Sequence, residues 1–275
     1  MVQHRWLAVV LLTICVGCSE ETPKAPPSGT SSSGEASRES TDPTTEEEKP
    51  RQDSPAWALF DRADQILYMP ALAGLKDLTY QYRLSDTPGI HFVVRWVAPE
   101  HTDVRIEVED DSQRSVANSR GQQLMSRALE ICNLVVGRSH RDLYKDDDVT
   151  LSGAEAVEVV ARSEESRARF SRSVTRFYGN GLPVSSTQTL GDGREFTVDM
   201  TFMPGPDGRY LVSRMDATEK GTDGSTRQTA MEFSYVELGG FVLLSKIDGT
   251  SEGNSIAQTF DNHRVDQGLR VSDIR

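Results

Sequence analysis

The chain has no apolar run long enough to cross a bilayer as a helix. Its N-terminal apolar stretch, residues 6–17, is twelve residues long, against the about 20 that hydrocarbon of ordinary thickness requires. It also lacks a basic block. Lys and Arg number 30 against 42 Asp and Glu, for a net charge of −12, which excludes the electrostatic footprint of a nucleic-acid binder and disfavours lying flat on anionic lipid. Catalytic signatures are missing too. His91, His101, His140 and His263 have no His-x-x-x-His spacing and no neighbouring Cys, so no zinc site is expected. The acidic "KDDDVTL" at 145–151 has neither the alternating ligands nor the central Gly of a calcium loop and reads as a solvated turn. "YGNGLP" and "LGDGRE" are turns without the G-K-[ST] of a phosphate cradle, and no G-x-S-x-G elbow occurs. No cofactor and no enzymatic activity are expected on these grounds.

What is present begins at the N-terminus. His4 and Arg5 precede the apolar stretch, and the small Val16 and Gly17 lead directly into Cys18, the arrangement of a cleaved export signal. The segment resembles a bacterial lipoprotein signal, which implies cleavage between Gly17 and Cys18 and lipidation of Cys18. Cys15 departs from that pattern, where Leu is usual, and leaves an ordinary secretory peptide cut nearby as the alternative. On the lipoprotein reading residues 1–17 are removed, Cys18 is consumed by lipid, and Cys132 is the sole thiol of the mature chain, so no intramolecular disulfide can form. Cys132 lies in "LMSRALEICNLVV", where a packed small hydrophobe is the expected role.

Residues 18–54 form the next unit. From 19 to 55 the chain holds half of its prolines, abundant Ser, Thr and Glu, and no aromatic, Ile, Leu or Val residue. Such a composition buries too little apolar surface to offset its ordering entropy and is expected to be a disordered tether, with an r.m.s. reach of about 35 Å.

Residues 55–275 are expected to be a single domain. Ser54 as N-cap and Pro55 at the first helical position open a helix whose Ala56, Leu59, Phe60, Ala63, Ile66 and Leu67 recur at helical spacing until Pro70. Strands follow in "DLTYQYRL", "IHFVVRWVAPE" and "DVRIEVED"; in the last, Val104, Ile106 and Val108 alternate with Arg105, Glu107 and Glu109. The period then changes. Leu124, Met125, Ala128, Leu129, Cys132, Val135 and Val136 share a helical face ended by Gly137. Residues 152–178 fit either a helix, capped by Ser152 and Glu155, or two strands flanking a turn near Glu164. Beyond Gly181 the pattern is β: "REFTVDMTFMPGPDGRYLVSRMDA" and "TRQTAMEFSYVELGGFVLLSKID" are hairpins, "SIAQTFDNHRV" is a last strand, and the tail is polar.

This order of elements, with "LKDLTYQYRL", "FVVRWVAPEHTDVRIEVE", "GNGLPVSSTQTLGDG" and "GGFVLLSKI", resembles the periplasmic lipoprotein-carrier superfamily of the LolA and LolB type over residues 57–265. The resemblance implies an α+β, mainly β fold: a strongly curved antiparallel half-barrel with helices packed on its concave face. It also implies lipid or lipoprotein acyl chains bound between sheet and helices. No site residue of that superfamily carries over, because no motif matches residue by residue. An apolar pocket, if built on the alternating faces, draws on Trp96, Met125, Phe196, Val198, Met200, Phe202, Met231, Phe233 and Tyr235; Met215 adds to the adaptable methionines. The same side chains can instead fill a core. Three classes of function follow: a tethered carrier of lipid or acyl chains, a structural or protein-interaction module of the envelope, and an extracytoplasmic enzyme of unrecognised type. Ser19 after Cys18, where Asp often signals inner-membrane retention, implies by family analogy an outer-membrane lipoprotein facing the periplasm.

Overall fold

A computed structural model describes residues 54–274 except 100 and 168. The expected export signal, Cys18 and all but the last residue of the tether lie outside the described residues. The first element, α1 (Pro55–Ile66), starts as its sequence dictates: Ser54 is extended and Pro55 occupies the first turn, where its missing N–H costs nothing. Ser54 makes no side-chain cap bond, however, and Leu67 is extended and not helical.

Twelve strands form one antiparallel sheet. They are β1 (Asp77–Leu84), β2 (Ile90–Val97), β3 (His101–Val108), β4 (Asp148–Leu151), β5 (Ala156–Val160), β6 (Arg172–Phe177), β7 (Pro183–Thr189), β8 (Glu195–Pro204), β9 (Tyr210–Lys220), β10 (Thr226–Leu238), β11 (Phe241–Ser251) and β12 (Asn254–Val265). The order across the sheet is β3-β2-β1-β12-β11-β10-β9-β8-β7-β6-β5-β4. Two meanders therefore meet at a β1–β12 seam, and β3 and β4, consecutive in sequence, stand at opposite open edges. The connection between them carries α2 (Arg114–Val136) and α3 (His140–Tyr144). Residues 152–178 are strands, β5 and β6, on either side of the short α4 (Glu164–Arg167).

Residues directly opposite in an antiparallel pair share a face, and the registers run Val157–Thr175–Ser186–Val198–Ala217–Thr229 across β5 to β10. Both helical clusters lie on this face. Around α1, Trp57 and Phe60 pack with Val149, Val157, Val159 and Phe177. Around α2, Leu124, Ala128, Ile131 and Val135 pack with Tyr80, Phe92 and Val198. Between the clusters the face turns polar, with Ser173 opposite Gln188 and Thr175 opposite Ser186.

Two local expectations need correction. Met125 and Leu129 are exposed, at 37% and 40%, because the stripe that meets the sheet is 124, 128, 131, 132, 135 and 136, and positions 125 and 129 lie about 100° round the helix from its leading edge. Cys132 is buried in that stripe, and burial pushes its thiol up to about 11. The acidic turn is not wholly solvated. Asp147 is 1% exposed, and its carboxylate accepts hydrogen bonds from the Arg162 and Ser163 amides at 2.9 and 3.2 Å and from Ser166 Oγ at 2.5 Å.

Candidate functional site: an apolar cavity between the two helical clusters

Where the helices fail to meet over the sheet, a strap of chain closes the gap. Leu67 bridges to Tyr210, the Tyr68 amide donates to the Tyr210 carbonyl at 2.8 Å, the Tyr68 hydroxyl accepts from the Val242 amide at 3.0 Å, and the Ala71 amide donates to Val136 O at 2.9 Å. The strap passes so close to the end of α2 that a Cβ on Gly137 would stand 2.6 Å from Met69 Cβ. Gly137 also has φ +75°, so both its space and its backbone require glycine.

Beneath the strap lies a cavity of about 180 Å³. Its floor comes from strands with an irregular register. Thr201 faces Arg214 but Phe202 faces Val212, leaving Ser213 as an extra residue in β9; Ser234 faces Lys246 but Tyr235 faces Leu244, leaving Ser245 extra in β11. Such bulges re-aim the side chains beyond them, and Val212, Val242 and Leu244 join Met200, Phe202 and Met215 in the lining. Phe233 and Tyr235 complete it from β10. The Tyr235 hydroxyl donates to Val212 O at 2.7 Å and burial holds its phenol well above the ordinary range, so it faces the cavity as a neutral aromatic wall.

The polar part of the lining comprises Thr175, Ser186 and Gln188 on the sheet, Asn133 on the last turns of α2, and Arg138, His140 and Tyr144 around α3. A five-residue helix has little stability of its own; α3 is held by α1. Arg141 grips Asp61 through two parallel bonds, Nε to Oδ1 at 2.6 Å and a second guanidinium nitrogen to Oδ2 at 2.7 Å, and lies 5.3 Å from the Trp57 ring. His140 stacks on Phe60 at 4.5 Å between centroids. Its backbone amide donates to Asp64 Oδ2 at 2.9 Å, and Nδ1 lies 2.5 Å from Asp64 Oδ1. An ionised carboxylate only accepts, so Nδ1 carries the proton and the orientation of the ring is fixed.

Of the sequence-selected pocket residues, Met200, Phe202, Phe233 and Tyr235 line the cavity. Trp96, Phe196, Val198 and Met231 lie in the packed core on the same sheet and not in the lining, while Met125 is exposed. The strap, His140 and Asp64 were not legible as a site: a strap held through backbone bonds leaves no side-chain pattern, and Asp64 and His140 are 76 residues apart. Beside the cavity, sharing Arg138 and Leu143 with it, is a polar basin of about 280 Å³ lined by Asp142, Lys145, Asp146 and Asp147. Among the described residues no group of three His, Cys, Asp or Glu side chains is placed to hold a metal ion, and no helix is long and apolar enough to cross a membrane.

No family model and no curated protein matches the chain. Among solved structures it is similar to a DUF1329 family protein from Desulfovibrio piger, at 12% identity with a TM-score of 0.33, over 80% of this chain and 97% of that one.

Proposed function

We propose that the chain is an envelope lipoprotein whose tethered domain binds or carries lipid or lipoprotein acyl chains, its sheet serving as a curved half-barrel with the helices on the concave side. The observation that carries this reading is the cavity itself. Its about 180 Å³ compares with the roughly 150 Å³ of an apolar cavity that stays dry and admits benzene. That is room for a length of one alkyl chain and too little for a whole two-chain lipid. Export through residues 1–17, lipidation of Cys18 and a long tether would place the domain within reach of a membrane, at the outer membrane facing the periplasm. Nucleic acid is no partner of so acidic a chain.

Each methylene moved from water into such a site contributes about 0.8 kcal/mol. Binding of straight-chain alcohols should therefore tighten from hexanol to decanol and level off once the cavity is full. Val212→Trp should abolish uptake by filling the space. Absence of binding by any alcohol in calorimetric titration, with no lipid extractable from the purified protein, would overturn the reading. A second reading, a protein-interaction module of the envelope, is supported by the two open sheet edges at β3 and β4, whose unpaired backbone groups can template another chain. Crosslinking that recovers one stoichiometric protein partner from lipid-free protein would favour it.

A further inference from the structure

The cavity is electrostatically unlike the rest of the molecule. The chain as a whole has 42 acidic residues against 30 Lys and Arg, yet no Asp or Glu lines the cavity, while Arg138 and His140 do. The ring of His140 is fixed by Asp64 behind it, and among the described residues its other nitrogen, Nε2, meets no hydrogen-bond partner. A guanidinium stays charged at any pH the protein meets. Resting on the alkyl-binding reading above, we infer that the cavity takes an anionic single-chain amphiphile, its carboxylate held at His140 Nε2 and Arg138 and its tail lying along Met200, Phe202, Phe233 and Leu244.

Two features place the head at this end. Thr175, Ser186 and Gln188 of the β6–β7 strip, with Asn133 near the end of α2 and Arg138 and His140 just beyond it, make the polar lining, whereas β8 to β11 supply mainly apolar walls. The adjoining basin, which shares Arg138, is lined by Asp142, Asp146 and Asp147 against the single Lys145, so a carboxylate is better placed on the cavity side of the arginine than in the basin. His140, by contrast, lines the cavity and not the basin. The proton balance is simple. A ligand entering as a carboxylic acid gives its proton to Nε2, and one entering as a carboxylate is accompanied by one proton from solvent. Either route ends with an imidazolium between the Asp64 carboxylate and the ligand carboxylate, each accepting one N–H. Asp64 is thus a positioning residue: it aims the ring and does not touch the ligand.

The test compares dodecanoate, dodecanol and dodecyltrimethylammonium, below their micellar concentrations, by calorimetric titration of residues 19–275, which include every described residue. Dodecanoate should bind roughly tenfold or more tighter than dodecanol, the difference expected of one charge-assisted hydrogen bond, and the cation should bind weakest. His140→Gln should shrink the dodecanoate-to-dodecanol ratio severalfold, and Asp64→Asn should do the same while leaving the apolar walls in place. Equal affinity for dodecanoate and dodecanol would overturn the inference while leaving the alkyl-binding reading intact. Failure of all three to bind would overturn both. A wild-type preference that persists in His140→Gln would also overturn it, because selectivity would then arise elsewhere.

Discussion

Replacing Asp77 with Ala should release the C-terminal tail and loosen the seam that joins the two meanders. Asp77 opens β1, is 2% exposed, and accepts three backbone bonds from the polar tail: from the Gln267, Gly268 and Leu269 amides at 2.8, 2.9 and 3.1 Å. Asp266 reciprocates, taking the Lys76 and Asp77 amides on Oδ1 at 2.9 and 3.3 Å. Hydrogen bonds to a charged group contribute about 1.5–3 kcal/mol each when measured singly. These three share one carboxylate, and Gln267 and Gly268 are exposed enough for water to satisfy their freed amides, so the losses do not add in full. A total of about 3 kcal/mol follows, which for a domain of this size lowers the melting temperature by roughly 6–12 °C. Asp77→Asn keeps one carbonyl oxygen, enough for the Gly268 and Leu269 pair, and should cost about half as much. Thermal unfolding gives the stability, and amide hydrogen exchange at Gly268 and Leu269 gives the location. A melting point within about 1 °C of wild type in Asp77→Ala, or unchanged exchange at both amides, would refute the reasoning.

Phe60→Ala removes a fully buried ring that contacts Trp57, His140, Tyr144 and Phe177; it should cost about 3–5 kcal/mol in urea unfolding, with alkyl binding weakened as α3 loses its support. Cys132 should resist thiol reagents at pH 8 in the folded protein and react fully once unfolded. The folded thiol holds its proton to about 11 where an ordinary one loses it near 9.0, so its stabilising contribution is present below the lower value and fades as pH rises to the upper; Cys132→Ala should flatten that part of the stability profile. Cys18→Ser should abolish lipid attachment and signal cleavage, and an unchanged gel mobility with continued membrane retention would refute lipidation at that position.

How much the sequence revealed varied with burial. β1 to β3 were legible because one face is buried: Tyr80, Tyr82, Phe92, Val94 and Val104 alternate with wetter neighbours, and a period of two is then forced. The region from 152 to 178 stayed ambiguous because β6 turns Ser173 and Thr175 to the inner face, opposite Gln188 and Ser186. With the apolar beat gone, "RSVTRFY" suits a helix as well as a strand. For the cavity, alternation groups Met200, Phe202, Phe233 and Tyr235, and all four line it. Alternation could not tell them from Phe196, Val198 and Met231, which are packed shut, because coverage from above depends on where α1 and α2 end. Nor could it anticipate Ser213 and Ser245, the extra residues that bring Val212 and Leu244 beside Phe202 and Tyr235.

The cavity is a consequence of topology. With β3 and β4 at opposite edges, the chain between them has to travel across one face, and it does so as a long helix over β2, β3 and β11 followed by a short one lodged against α1. Neither helix covers the middle of that face, where the strip of Ser, Thr and Gln offers an apolar helix nothing to bury. The strap at 67–71 covers it instead, and it is tied by backbone hydrogen bonds to β9 and α2 and by Tyr68 to β11. A cover held this way does not need to fill the volume beneath it, as an amphipathic helix must to be stable. Space can persist under the strap without a large loss of packing energy, and its walls combine soft methionine and aromatic side chains with a small group of polar residues at one end. Binding of an amphiphile requires those same two properties, and in this fold both follow from the strand order.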